Sequence, residues 1–378
     1  MRGFSRYRAE FPITRRFTYL NHASHGPMSL RVRRVLDGFF DLAMHTDHRH
    51  DEVSFRKMDE CRALLAGMLR CEAGEIGMGY DATFGLNIAA HGLDLRTGDE
   101  VLLSDVEFPA NVYPWLALRR NGVKVRFFKA REGFADLESI ERGITPQTRI
   151  LALSWVQYFN GYRTDLKAAS DLCRRRGIFF VVDGMQGVGA LDLNVRQAGV
   201  DFLSAGGVKW LLSPHGSGFF FISKRMLPRL KSRFAGWLGV DWNTDWENLR
   251  DYRRKAFSDA RKFELGSHPY QDIYGFREAL GMLAEVGMKR VENRILGLTG
   301  RLLDYLRDSP YQIRSSLAAR HRSGILSFTG RRDKALMEAL KREKIIVSYR
   351  EGGVRVSPHF YNSDEEVDRL IAVLKRKA

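Results

Sequence analysis

Six short apolar runs recur through the middle of the chain: EVLLSD (100–105), KVRFFK (124–129), ILALSWV (150–156), IFFVVDG (178–184), DFLSAG (201–206) and GFFFIS (218–223). Helical stretches fall between them, for instance Pro114 to Asn121 and Asp165 to Arg176. Near-continuous apolar strands separated by helices predict a mostly parallel sheet covered on both faces. Upstream, Leu30 to Ala43 and Phe55 to Leu69 carry a helical period, and another helix starts near Thr83, with Asp81 and Thr83 as N-cap residues. Downstream, Asp272 to Leu306 reads as one long helical stretch. A strand at 324–330, a helix, a hairpin-like segment at 345–359 and a closing helix from Asp364 follow it. The expected architecture is α/β, with a large domain over 21–270 and a smaller α+β domain built from 1–20 and 271–378.

Length and charge narrow this picture only a little. A chain of 378 residues can bury a large core and divide into two domains. Lysine and arginine total 61 against 45 acidic residues, a net charge of +16. These cations are spread thinly, with no aromatic-basic stacking motif, so they read as a solvated surface and nucleic acid is not an expected partner. No apolar run approaches the ~18 residues of a membrane span, and the first residues lack the apolar core of a signal peptide. Cys61, Cys71 and Cys173 are odd in number and form no CxxC, which fits a reducing, cytoplasmic setting. His45, His48 and His50 in MHTDHRHDE (44–52) match no common metal-ligand spacing and read as a polar loop.

The chemistry is expected at the carboxyl ends of the strands, where open α/β sheets bind ligands. Lys209 follows the run at 201–206 and has apolar neighbours on both sides. Two readings stand: a partly buried, nucleophilic amine, or a stem packed on Trp210 with its head in water. Other strand ends carry Phe108 and Asn111, Gln157 and Asn160, and Asp183 and Gln186. One lysine, one strand-ending carboxylate, an aromatic, an amide and a helix start at Ala82 and Thr83 form the set that pyridoxal 5′-phosphate requires.

The chain resembles the class V aminotransferase family of fold-type I pyridoxal-phosphate enzymes, which includes cysteine desulfurases, selenocysteine lyases, kynureninases and isopenicillin N epimerase-like proteins. The resemblance rests on YLNHASHGP (19–27), DATFGLN (81–87), EFPANVYPW (107–115), the segment 157–166, VVDGMQGVGA (181–190), GGVKWLLSPHGSGFF (206–220), FELGS (263–267) and VRVSPHFYN (354–362). It implies that Lys209 forms the Schiff base, that Asp183 pairs with the pyridinium nitrogen, and that Gln186 and Gln157 approach the ring. Phe108 would stack on the ring, and Ala82 and Thr83 would hold the phosphate. Ser267 would reach the phosphate of a neighbouring subunit, which makes a homodimer with shared sites. Arg355 would clamp a substrate carboxylate. Ala23, His25 and Trp237 would line the substrate side or simply pack there.

Two departures stand out. Gly206 and Val208 occupy positions where much of the family has serine and histidine near the phosphate, and the C-terminal region has no cysteine. The second departure predicts that the protein is not a persulfide-forming cysteine desulfurase. The expected function is catalysis on an α-amino acid, with transamination first and a C–S or C–C lyase or an epimerase as alternatives. A non-catalytic binding protein on the same fold is the alternative of another class.

Overall fold

The structure, a computed structural model, describes residues 3–45, 50–242 and 248–378. Its strands are β1 (Thr18–Tyr19), β2 (Ile76–Gly79), β3 (Glu100–Ser104), β4 (Lys124–Phe128), β5 (Thr148–Ser154), β6 (Phe179–Asp183), β7 (Phe202–Gly206), β8 (Gly218–Ile222), β9 (Gln312–Ile313), β10 (Leu326–Thr329), β11 (Ile345–Ile346), β12 (Ser348–Arg350) and β13 (Gly353–Val356). Seven of them form the main sheet in the order β2-β8-β7-β6-β5-β3-β4. The pairs among β4, β3, β5, β6 and β7 are parallel, as the apolar runs predicted. β8 runs antiparallel to both β7 and β2 because only the loop 207–217, with no crossover helix, joins it to β7.

Burial explains the composition of the central strands. β7 and β8 are buried at every position and β5 at all but Arg149, between one apolar cluster that holds Leu151, Leu153, Val182 and Phe219 and another that holds Ile150, Ala152, Val181 and Phe220. A strand covered on both faces has no polar side to alternate with.

Several boundaries differ from the sequence-based expectation. The stretch 272–306 is two helices, Tyr270–Val286 and Met288–Arg307, broken at Gly287 with φ +84. Such a backbone costs little only for glycine. The expected helix 114–121 is a short helix, Tyr113–Leu116, followed by a 3-10 turn, Ala117–Asn121. β2 was not anticipated, since its sequence IGMG is poor in strand-forming residues. The Phe220 ring needs that glycine, because a Cβ on Gly77 would lie 2.1 Å from Phe220 Cζ. The expected loop at 44–52 is shorter at both ends: Leu30–His45 and His50–Leu69 are helices, while His48 lies outside the described residues.

The N-terminal segment crosses to the C-terminal part. β1 pairs in parallel with β11, and Asn21 bridges Ser357. β12, β13, β10 and β9 form a separate antiparallel sheet. No helix among the described residues is long and apolar enough to cross a membrane.

The open edge of β2 is held by a buried ion pair. Arg62, on the helix His50–Leu69, donates from Nη2 to Glu264 Oε1 and Oε2 at 2.7 and 2.6 Å. Glu264 Oε1 also accepts the β2 amide of Met78 at 2.9 Å. Replacing Arg62 with Ala strands a buried carboxylate and should cost about 3–5 kcal/mol, read as a lowered midpoint in chemical denaturation. An unchanged midpoint would show that the pair does not hold this edge.

Candidate active site

Lys209 sits in the loop between β7 and β8, and its backbone is gripped from three sides. The Gly26 amide donates to the Val208 carbonyl at 2.8 Å. His359 Nε2 donates to the Trp210 carbonyl at 2.9 Å, while its Nδ1 accepts the Phe360 amide at 2.8 Å, so the ring is neutral and its tautomer set. Burial also keeps His359 neutral, lowering its pKa to about 4. The Trp210 indole donates to Gln186 Oε1 at 2.8 Å, and Gln186 Nε2 donates to the Ala23 carbonyl at 2.9 Å. Gly26 must be glycine here, since a Cβ would stand 2.2 Å from the Lys209 carbonyl oxygen.

The reactive groups converge above this grip. Asp183 ends β6, is 4% exposed, and accepts the Met185 amide on Oδ1 at 2.9 Å. Burial raises its pKa, and the charge of Lys209 partly opposes that shift. Lys209 is moved the other way, to about 8: burial disfavours its ammonium, Asp183 favours it, and Arg355 and Arg350 disfavour it. Its Nζ lies 5.5 Å from the centroid of the Phe108 ring, whose edge meets Tyr158 at 5.2 Å.

Arg355, on β13, is 2% exposed yet has only neutral partners among the described residues. It donates to the Tyr158 carbonyl at 2.5 Å, Ser24 Oγ at 2.6 Å and Ser348 Oγ at 3.0 Å. Burial and the nearby Arg350 charge lower its pKa to about 10. A buried guanidinium without an acid is favourable only when an anion arrives.

Glu107 fixes the strand ends behind Phe108. It is fully buried and accepts Asn111 Nδ2 at 2.9 Å, Ser154 Oγ at 2.6 Å and Gln157 Nε2 at 3.0 Å. Gln157 Oε1 is left buried without a partner.

The other expected residues divide into groups. Ala82 and Thr83 open the helix Ala82–Gly92, which Asp81 caps by accepting the Phe84 amide at 2.8 Å. Their own amides are free of intrahelical partners, as at any helix start. Gln186 uses both ends of its amide on Trp210 and Ala23. His25 is exposed and stacks on His215 at 5.1 Å. Ser267 is exposed, and Trp237 packs edge-on against Phe55 at 6.4 Å; no described contact brings either to Lys209 within this chain. Sequence reading missed Ser24, Glu107, Tyr158 and Ser348. Ser24 and Glu107 lie inside YLNHASHGP and EFPANVYPW, two blocks the sequence reading had quoted.

These residues fit pyridoxal 5′-phosphate. The buried Asp183 carboxylate, the orphaned Gln157 oxygen and the Lys209 amine with its lowered pKa lie at adjoining strand ends, near a capped helix start. Gly206 adds no phosphate ligand, and its amide is taken up by Met185 Sδ at 3.2 Å.

Comparison with known proteins gives the family and the fold. The family model "Aminotransferase class-V" matches residues 39–370. An uncharacterized aminotransferase, YcbU, of Bacillus subtilis is 25% identical over 98% of this chain and 97% of its own length. A probable cysteine desulfurase of Methanothermobacter thermautotrophicus is 28% identical over 98% and 97% of the two chains. A solved structure of a C-DES mutant with glycine covalently linked to its PLP cofactor shares the fold, with a TM-score of 0.88, 23% identity and coverage of 97% and 98%. Cysteine desulfurases recur among both relatives and solved structures, which overturns the expectation that this chain is not a persulfide-forming cysteine desulfurase. That expectation rested on one missing cysteine, and a single absent side chain is a weaker signal than likeness along the whole chain.

The lowered pKa of Lys209 makes a direct prediction. Acylation of Lys209 in cofactor-free protein, followed by peptide mass spectrometry, should rise with pH through a midpoint near 8 rather than 10.5, because only the neutral amine reacts. Asp183→Asn removes the charge that favours the ammonium and should move the midpoint lower. A midpoint that rises or stays in place would refute the coupling.

Proposed function

The chain belongs to the class V aminotransferase family, and we propose that it is a pyridoxal-phosphate enzyme that removes the α-proton of an amino-acid substrate with Lys209. The observation that carries this reading is a lysine amine whose pKa is lowered to about 8, beside a buried carboxylate and near a buried arginine with no acid of its own. When bound, the cofactor supplies a carbonyl that captures amines and a ring that withdraws electrons from the α-carbon.

The protein's own groups then have distinct tasks. Asp183 would hold a positive charge on the ring nitrogen, and the Phe108 ring would cover one face. The amides of Ala82 and Thr83 would take the phosphate, and in a homodimer Ser267 would complete the site of the neighbouring subunit. Exposed Met28, Phe40, Phe234 and Trp237 support such a dimer, since a second copy would cover them. Arg355 takes the α-carboxylate and so presents the α-carbon to Lys209. The Lys209 Nζ, with a pKa near 8, can accept a proton and return it near neutral pH.

Transamination is the first reading of the overall reaction. Elimination of a sulfur-bearing side chain is the second, supported by the desulfurase names of full-length relatives. Incubating the holoenzyme with a panel of L-amino acids separates them. Pyridoxamine phosphate formation indicates transamination, and release of pyruvate or sulfide without it indicates a lyase. A purified protein that takes up no pyridoxal phosphate, or whose visible absorbance is unchanged in Lys209→Ala, would sink the whole proposal. Arg355→Ala should lower kcat/KM for carboxylate substrates by about 2–5 kcal/mol, and an unchanged KM for every active amino acid would remove Arg355 from the site.

A further inference from the structure

We propose that Arg350 binds a second carboxylate carried on the substrate's side chain, so that the enzyme selects amino acids with an acidic side chain. This rests on the reading that Arg355 takes the α-carboxylate, and it adds a substrate class to it.

The argument starts from strand register. In the β12–β13 ribbon Ser348 lies opposite Arg355, and Arg350 lies opposite Gly353. Residues two apart on a strand share a face. Ser348 contacts Arg355 directly, Ser348 Oγ accepting from Arg355 Nε at 3.0 Å. Arg350 therefore projects on the same face as Arg355, two residue pairs further along, roughly 7 Å away in strand rise. That face looks toward the reactive lysine: Arg355 on it donates to the Tyr158 carbonyl and to Ser24 Oγ, the Tyr158 ring meets Phe108, and Phe108 lies 5.5 Å from Lys209 Nζ.

The charges near the site do not balance. The Arg350 side chain, exposed at the end of β12, has no ion pair or hydrogen-bond partner among the described residues. Its sequence neighbour Glu351 accepts a hydrogen bond from the Tyr158 hydroxyl at 2.8 Å. Arg314, on the same side of the ribbon, donates to the Glu351 main-chain carbonyl and stacks over Phe159. Asp183, the acid that interacts with Lys209, ends β6 and makes no contact with Arg350 among the described residues. One α-carboxylate on Arg355 leaves Arg350 as an unmatched cation at the mouth of the site. Arginine suits planar, bidentate capture of a second carboxylate.

The test uses holoenzyme and two unreactive probes, butyrate with one carboxylate and glutarate with two, with binding measured by calorimetry. Glutarate should bind at least about tenfold tighter, or ~1.4 kcal/mol. Arg350→Gln should erase most of that difference and Arg350→Lys should keep part of it. In parallel, the kcat/KM preference for L-glutamate over L-glutamine, or L-aspartate over L-asparagine, should fall by a similar factor in Arg350→Gln. Equal binding of the two probes by the wild type would overturn the proposal. So would an Arg350→Gln variant that weakens both probes equally, since Arg350 would then share the α-carboxylate. Tighter glutarate binding that Arg350→Gln abolishes, in a protein whose cofactor band no amino acid alters, would uphold the carboxylate subsite and defeat the catalytic reading instead.

Discussion

The exclusion of water around one amine organises this molecule. Lysine stays protonated at neutral pH in water, and here burial brings Lys209 to a pKa near 8 although Asp183 pulls the other way. That balance needs a rigid, dry seat. The seat is built from segments far apart in sequence: Gly26 and Ala23 near the N-terminus, Gln186 after β6, and His359 near the C-terminus. Gly26 meets the backbone of the Lys209 loop, Gln186 and His359 meet it through Trp210, and Ala23 anchors Gln186. The N-terminal segment can reach it because β1 first pairs with β11.

The same seat explains why charges in the site are left unpaired. Arg355 is buried against a hydroxyl pair and a carbonyl rather than a carboxylate. For stability alone this is a poor arrangement. For binding it is a prepared one, because the desolvation has been met in folding and an arriving carboxylate finds its partner in place. Glu107 is the contrasting case. It is also buried, but four donors on Asn111, Ser154 and Gln157 satisfy it, and it serves to hold strand ends in position.

Much of this was legible in the residues. The central parallel strands show as apolar runs because both of their faces are covered. The carboxyl-end residues Asp183, Phe108 and Lys209 do converge, because parallel strands share one direction and so one edge. The break at Gly287 and the strand at 76–79 were not legible. Glycine in a helical pattern marks a break only when its neighbours turn, and IGMG is a strand only because β8 lies beside it. Gln186 shows the limit of motif reading: its place in the block is as expected, but its amide is used to tie Trp210 to Ala23.

Local pattern therefore settled the fold class, the family resemblance and the identity of the chemical groups, since these depend on periodicity and on residue type. Tertiary packing decided how those groups behave. Whether Lys209 is a reactive amine or a surface cation depends on what surrounds it, and those neighbours are more than 150 residues apart in places, from Ala23 to His359. The same holds for Arg350 and Arg355, whose common face follows from the register of β12 with β13 rather than from their spacing alone. Solvation and electrostatics are properties of the assembled site, which is why the chemistry could be named from the chain but its charge state could not.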